Sequence, residues 1–480
     1  MHELSGLLLH QFRTDLIRAV GQENVRDDAD ELKAVAVDQY WVSVMWTAKE
    51  QEIAVPYFYV TPETTEQVSA VMSVCNEYKV PVVVRGLGSG TQGGAVSFLP
   101  GIVLGMERMN KIIDIDEKSL VLTAEPGING EVLELALNER GLMLAHYPSS
   151  FAIASLGGYL AARGSGVMST KYGKAEDLVL SIEVVLADGT IIETLPVPNH
   201  ANGPDLLQLF VGSEGTLGVI TKIRMQLDPL PETRLFAVYE FPTVEDGIEA
   251  SRRIMTERLR PAVIRLYDAG ATKRSLQDTG HDLSGVNSII MVDGQSAIAE
   301  PTIARIREIC EEVGGIARPD SEGEHWWEHR YDFYRPPLQP GYPKMYGTVE
   351  TLTTFDKLPG LYQAKRDHVL STYAQYDVKY TAHFSHWYPW GGMIYDRFYI
   401  DNPPADAAEA LKLHNEIWDS CSRINLEHTG MLNEHHGIGF KLGRLMREQQ
   451  GATFDVLLGI KRQLDPKGIL NPGKLGFGIW

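Results

Sequence analysis

The chain has 480 residues, too many for one ordinary hydrophobic core, and requires at least two domains. Its 44% apolar and 22% charged content excludes large-scale disorder, and a formal charge of −19 disfavours phosphate backbones and anionic lipid surfaces as partners. Three scattered cysteines, Cys75, Cys310 and Cys421, have neither metal-type nor disulfide-framework spacing and fit reduced thiols. No run of eighteen apolar residues occurs and the opening residues lack a basic leader, so the expectation is a cytoplasmic protein without a membrane span and without a nucleic-acid partner.

Residues 1–56 show helical spacing with acidic punctuation and predict an N-terminal helical extension that packs rather than catalyses. From 57 the pattern alternates: a helix over 64–78, a strand over 80–84, then a glycine-dense loop. Strands follow over 103–106, 112–115 and 120–124, and a helix over 130–140. A β-branched run over 178–186 ends at the Asp188-Gly189 turn, and 190–193 returns as a hairpin arm. Another strand covers 218–224. The prolines Pro229 and Pro231 make a stiff connector, taken as the end of a first domain over 57–230. A second α+β domain is expected over 231–430, with a strand at 288–292, a helix at 300–313 and irregular aromatic cleft walls over 324–346. Residues 431–480 are expected to return to the first domain.

Residues 85–94 read ArgGlyLeuGlySerGlyThrGlnGlyGly, directly after a buried-type strand. Glycines let the backbone approach a ligand, and successive N–H groups can converge on phosphate oxygens. Neither a Walker ending nor Rossmann spacing is present. Arg85, Gly86, Gly88, Ser89, Gly90, Thr91, Gly93 and Gly94 are therefore candidate diphosphate contacts. A series of small residues follows: Pro148, Ser149, Ser150 and Ala154, then Gly157 and Gly158, then Ala162, Arg163 and Ser165, with Tyr172 just beyond. Glu214, Gly215, Gly218, Val219 and Ile220 close it. This series, in this order, resembles the FAD domain of the vanillyl-alcohol oxidase / p-cresol methylhydroxylase superfamily. The resemblance implies an α+β fold: a two-subdomain FAD-binding domain with an inserted α+β cap. It also implies FAD as cofactor. Members with covalent flavin attach it through a histidine of the glycine loop, where Ser89 stands here, so non-covalent FAD is expected.

Within that superfamily the motifs are most similar to the alkyldihydroxyacetonephosphate synthase branch and to the D-lactate and glycolate dehydrogenases. ProAlaValIleArgLeuTyrAsp at 261–268 and GluHisHisGlyIleGly at 434–439 carry the likeness to the synthase. Carried over by position, Arg265, Arg335, Tyr395, His435 and His436 fall on functional residues. Tyr395, His435 and His436 suit proton transfer, and the arginines suit a carboxylate or phosphate. Glu434 replaces a histidine of the synthase triplet. His383, His386 and Trp390 join Glu434 as further substrate contacts. His383, His386, Glu434 and His435 also invite a metal reading, but their spacing departs from the dehydrogenases' motif and no metal is expected.

The implied function is an FAD-dependent oxidation of an alcohol, phenolic alcohol or 2-hydroxy acid by hydride transfer to flavin N5. The alternatives are a non-redox synthase and a flavin-binding protein without turnover. A small-molecule substrate and a homodimer are expected. Oxygen, a quinone or a carrier protein remain open as electron acceptor.

Overall fold

A computed structural model describes residues 4–50, 54–276, 284–332 and 344–478. Two sheets form the first half. The valine run before Arg85 makes the strand Val82–Arg85, which lies parallel to Ile102–Gly105, itself parallel to Phe58–Val60. Val25–Arg26 adds an antiparallel edge. Strands covered on both faces read as continuous apolar runs, as this one does. Helix Thr65–Tyr78 bridges Phe58–Val60 and Val82–Arg85. The Thr64 side chain caps its N-terminus, Lys79 at φ 55° ends it, and Val68, Val71, Met72 and Cys75 are its buried face. The second sheet is antiparallel, in the order Ile112–Asp116, Val121–Ala124, Val219–Gln226, Val179–Val185, Ile191–Glu193.

The second half is built on a nine-stranded sheet whose pairings are all antiparallel. Side chains alternate across it, as the strand period of two demands. Ile264, Leu266, Ala382, Phe384 and Ile394 pack under helices Val244–Thr256, Ser296–Glu312 and Leu358–Thr372. Val263, Tyr267, Ile289 and Met291 point the other way, onto Met143, Tyr147 and Met168 of the first half. The catalytic-type residues Arg265, His383, Tyr395 and Arg397 share that second parity.

Two elements differ from the sequence reading. Asp228–Pro229 is a short strand paired with Leu142–Met143; Pro229 has no N–H to donate, yet the edge position tolerates it. Residues 324–329 belong to a helix, Asp320–His329, that buries Trp326, because Gly323 lies on Phe236 and lets the turn pack closely. Cys75, Cys310 and Cys421 are free and buried, and no helix among the described residues is long and apolar enough to cross a membrane.

The last residues lock onto the first sheet. Leu470 bridges to Val82 in parallel, and the Asn471 N–H donates to Val82 O at 2.8 Å. The fully buried Lys461 ammonium donates to Thr216 O, Leu470 O and Asp465 Oδ2 at 2.8, 2.9 and 2.5 Å. Removing one partner of a buried ion pair leaves the other charge unpaired. Lys461→Met is therefore expected to cost about 3–5 kcal/mol of stability, seen as a lowered urea midpoint against wild type.

Candidate active site

Strand Val82–Arg85 delivers the glycine loop with its amides unpaired. Among the described residues, no backbone N–H from Leu87 to Gly94 donates to a protein acceptor. Such a run of undonated amides is a nest for anionic oxygens. The loop is held from behind by the N-terminal segment. Arg85 turns its guanidinium beneath it and donates to Val37 O at 2.6 Å. At Gly88, φ is +71° and a Cβ would lie 2.1 Å from Arg85 Nη2, so only glycine fits. The Gln39 N–H donates to Gly90 O at 2.9 Å, and Asp38 accepts from Tyr40 N and Ala95 N. Burial pushes the Asp38 carboxyl up to about 6, against the pull of those N–H groups and Arg85.

The loop opens into one long cavity. Gly86, Gly88, Ser89, Gly90, Thr91 and Gly94 line it, with Pro148, Ser149, Ser150, Ala154, Gly157 and Gly158. Ala162, Ser165, Glu214, Gly215, Gly218 and Ile220 continue the wall. Glu214 accepts from Ile438 N at 2.5 Å and Gly439 N at 2.8 Å, and burial raises its carboxyl to about 7 in spite of these bonds. The nine-stranded sheet and its loops add Arg265, His383, Ser385, His386, Tyr395, Arg397, His435 and His436 to the same cavity.

Charge is arranged with care for burial. Arg265 Nη2 lies 3.1 Å from His383 Nε2. Arginine can only donate, so His383 accepts there and its proton sits on Nδ1. Burial, then Arg265 and Arg397, hold His383 neutral, well below the usual histidine range. It stacks on Tyr395 with centroids 4.7 Å apart. His435 and His436 follow at 4.0 Å from each other. Burial and the neighbouring His436 press His435 down to about 3. His436 Nδ1 is bonded to Glu350 Oε1.

Glu434 stands behind this group. It accepts from Tyr388 OH at 2.6 Å and Ser165 Oγ at 3.0 Å, and His386 Nδ1 lies 2.9 Å away. Lys174 Nζ reaches its carboxylate at 3.3 Å and its main-chain oxygen at 2.6 Å. Burial would raise the carboxyl; Lys174 and His386 outweigh it and hold Glu434 ionised. The ligand-type atoms of His386, Glu434 and His435 lie within 4.8 Å of one another, a spacing that a divalent ion could span. The Lys174 ammonium already balances this carboxylate. His435 Nδ1 is 2.7 Å from Glu434 Oε2 but lacks hydrogen-bond alignment.

Several expected contacts fall elsewhere. Arg85 lies under the loop, and Gly93 turns toward Tyr40 and Phe440. Arg163 is spent on Val211 O and Gln208 O. Tyr172 donates to Asp293 at 2.9 Å and ties the two halves together. Val219 is fully buried in the first core. Trp390 is half-exposed and stacks on Tyr388, and Glu434 acts through its neighbours. Arg335 lies outside the described residues. Sequence reasoning missed Arg397, although Tyr395 on a strand implies its second neighbour on the same face. Lys174, Glu350 and Asp38 were also missed; only tertiary proximity marks them.

Residues 56–195 match the family described as FAD binding domain, and residues 230–475, over half the chain, match FAD linked oxidases, C-terminal domain. The chain belongs to the FAD-linked oxidase family. FAD is its cofactor. Relatives of this FAD-linked oxidase include the Escherichia coli K12 protein described as "Uncharacterized FAD-linked oxidoreductase YgcU", 31% identical over 95% of this chain and 96% of that one. A Danio rerio protein described as "Probable D-lactate dehydrogenase, mitochondrial" is 29% identical over 88% of this chain and 84% of its own. A solved alkyldihydroxyacetonephosphate synthase superposes at a TM-score of 0.82 with 23% identity, covering 98% of this chain and 86% of the other, which shows a common fold. The fold is of the vanillyl-alcohol oxidase type. The undonated amides of 87–94 and the small-residue walls suit a flavin dinucleotide: the nest would take the diphosphate, and the rest of the cavity has room for the flat ring.

Gly88→Ala is expected to purify with most of its FAD lost, measured as the flavin-to-protein absorbance ratio. Gly360→Ala, on a helix where a Cβ meets nothing within 4 Å, is expected to keep the wild-type ratio.

Proposed function

We propose that this protein oxidises a small hydroxy acid, a 2-hydroxy carboxylate in the first instance, at its CH–OH carbon. The observation that supports this reading is one cavity shared by the FAD walls, two guanidinium groups and two carboxylate-paired histidines. Bound FAD supplies the hydride acceptor. Arg265 and Arg397 face the cavity from two strands that flank the His383 strand and would fix the carboxylate, which guanidinium forks suit geometrically. His383, held neutral, orients Arg265 and takes no proton. His436 is the base for the hydroxyl proton. Its Nδ1 is committed to Glu350, which leaves Nε2 to accept, and the buried carboxylate balances the positive charge that forms. Tyr395, between His383 and His436, offers a hydrogen bond to the substrate oxygen; burial keeps its hydroxyl protonated. The glycine loop offers no point of covalent attachment to the cofactor, since residues 85–94 contain neither histidine nor cysteine.

Anaerobic addition of 2-hydroxy acids is expected to bleach the flavin absorbance, and failure of every hydroxy acid and alcohol tried would sink the proposal. With an acid that works, His436→Ala should slow flavin reduction by about 10²–10⁴-fold, the usual worth of a positioned base. Arg265→Ala should raise KM for the acid by about 10–100-fold, as loss of a charged hydrogen bond does, while an uncharged alcohol of similar size is little affected.

A further inference from the structure

Glu350 belongs to no motif, yet its position is unusually constrained. Strand Met345–Thr348 pairs with the upper part of Gly391–Ile400, Thr348 opposite Arg397. Strand Thr351–Thr354 pairs with the lower part of the same strand, Thr351 opposite Ile394. Val349 and Glu350 are the two-residue link between these pairings, beside Tyr395 and Asp396, and Val349 N donates to Asp396 O at 3.0 Å. The link sets a buried carboxylate next to the cavity. Oε1 receives two donors, His436 Nδ1 and Asn433 Nδ2, the latter at 2.5 Å. Asn433 Oδ1 in turn accepts the main-chain N–H groups of His435 at 3.1 Å and His436 at 2.8 Å. Ring and backbone of His436 are thus fixed by one connected pair. The Glu350 side chain has no exposure, and Oε2 has no hydrogen-bond partner among the described residues. An orphaned buried oxygen is destabilising, and a neutral residue of similar shape would suit mere packing better.

We propose that Glu350 is a positioning residue for His436: it fixes the imidazole in the tautomer that carries its proton on Nδ1 and turns the Nε2 lone pair to the substrate. An ionised carboxylate can only accept, so the atom facing it must be N–H. Burial opposes that ionisation, while His436, His435 and the nearby Lys441 outweigh it and hold the carboxyl below the usual range. The neighbours facing the pair are His435, Tyr395, Asn433 and Lys441, whose ammonium donates to Thr348 O at 3.1 Å. Among these neighbours none can replace Glu350 as acceptor for Nδ1–H, since the Asn433 amide oxygen already serves two backbone donors.

The inference rests on His436 acting as the base, and one experiment separates the two. In Glu350→Gln the amide oxygen can still accept from Asn433 and His436, but the carboxylate charge that balances the protonated imidazole is gone. The variant should keep its FAD content and melting temperature, and KM within about threefold, while flavin reduction slows by about 10²-fold or more, the lower end for a lost general base. In a His436→Gln background the same change should slow reduction no further, because residues acting as a unit are non-additive. A second readout needs no substrate: acylation of His436 by diethyl pyrocarbonate, followed by peptide mass spectrometry. It should fall about tenfold in Glu350→Leu, where no acceptor holds the proton on Nδ1, because only an unprotonated ring nitrogen attacks. Wild-type reduction rates in Glu350→Gln or wild-type acylation rates in Glu350→Leu overturn the inference. Additive loss in the double variant does so too, assigning Glu350 a structural role. If no hydroxy acid reduces wild type, the oxidation reading fails and the acylation rates alone decide the role of Glu350. Should Glu350→Gln not fold, Glu350→Asp, which keeps the charge but draws it back from His436 Nδ1, is read the same way: unchanged rates overturn the inference.

Discussion

Ser165 and Lys174 reach the Glu434 carboxylate from the FAD-binding domain, and His386 and Tyr388 reach it from the C-terminal oxidase domain. Each side would leave a charge or hydroxyl buried without its partner if the other moved away. In a low-dielectric interior that penalty is several kcal/mol per ion, far above a surface ion pair. The carboxylate therefore works as a pin between the halves, set where the two domains meet at the cavity. Tyr172 and Lys171, both bonded to the buried Asp293, form a second pin further along the same seam.

The same logic explains the histidines. Four line the cavity, and each is given a different environment by what it touches. His383 faces a guanidinium and stays neutral; His386 and His436 face carboxylates; His435 is crowded by its neighbours and by burial. A site made of identical rings can thus divide the labour of orienting, donating and accepting. The division is made by sheet register, since one residue of slip would carry His383, Tyr395 and Arg397 to the helix-covered face.

Much of this was legible in the chain itself. Glycine density after a valine run locates the loop of undonated amides, because only backbone can approach so closely there, and the SerGly and GlyGly steps fall on the cavity wall. Tyr395, His435 and His436, picked out from motifs, line the same cavity. The residues that fall outside it do so for a common reason. Arg85 and Arg163 are cations in the right segments, but direction is decided by acceptors such as Val37 O and Val211 O, which no local pattern announces. Asp38 supports the glycine loop across a gap of fifty-odd residues, and Glu350 meets His436 across a larger one. Such pairings are products of topology. Val219 was read as a ligand contact beside true cavity neighbours, since alternation along a strand cannot say which parity faces the cofactor until the core is known.

The bridge between Leu470 and Val82 has a consequence for how the protein is made. The strand it completes is the one that launches the glycine loop, and Asn471 also ties Gly94 to Glu214 across the cavity wall. Leu470 and Val82 lie almost four hundred residues apart in the chain. Until the segment around Leu470 has been made, the strand that launches the loop lacks this neighbour, and long-range closure of this kind is intrinsically slow. Completion of the nest waits on that contact.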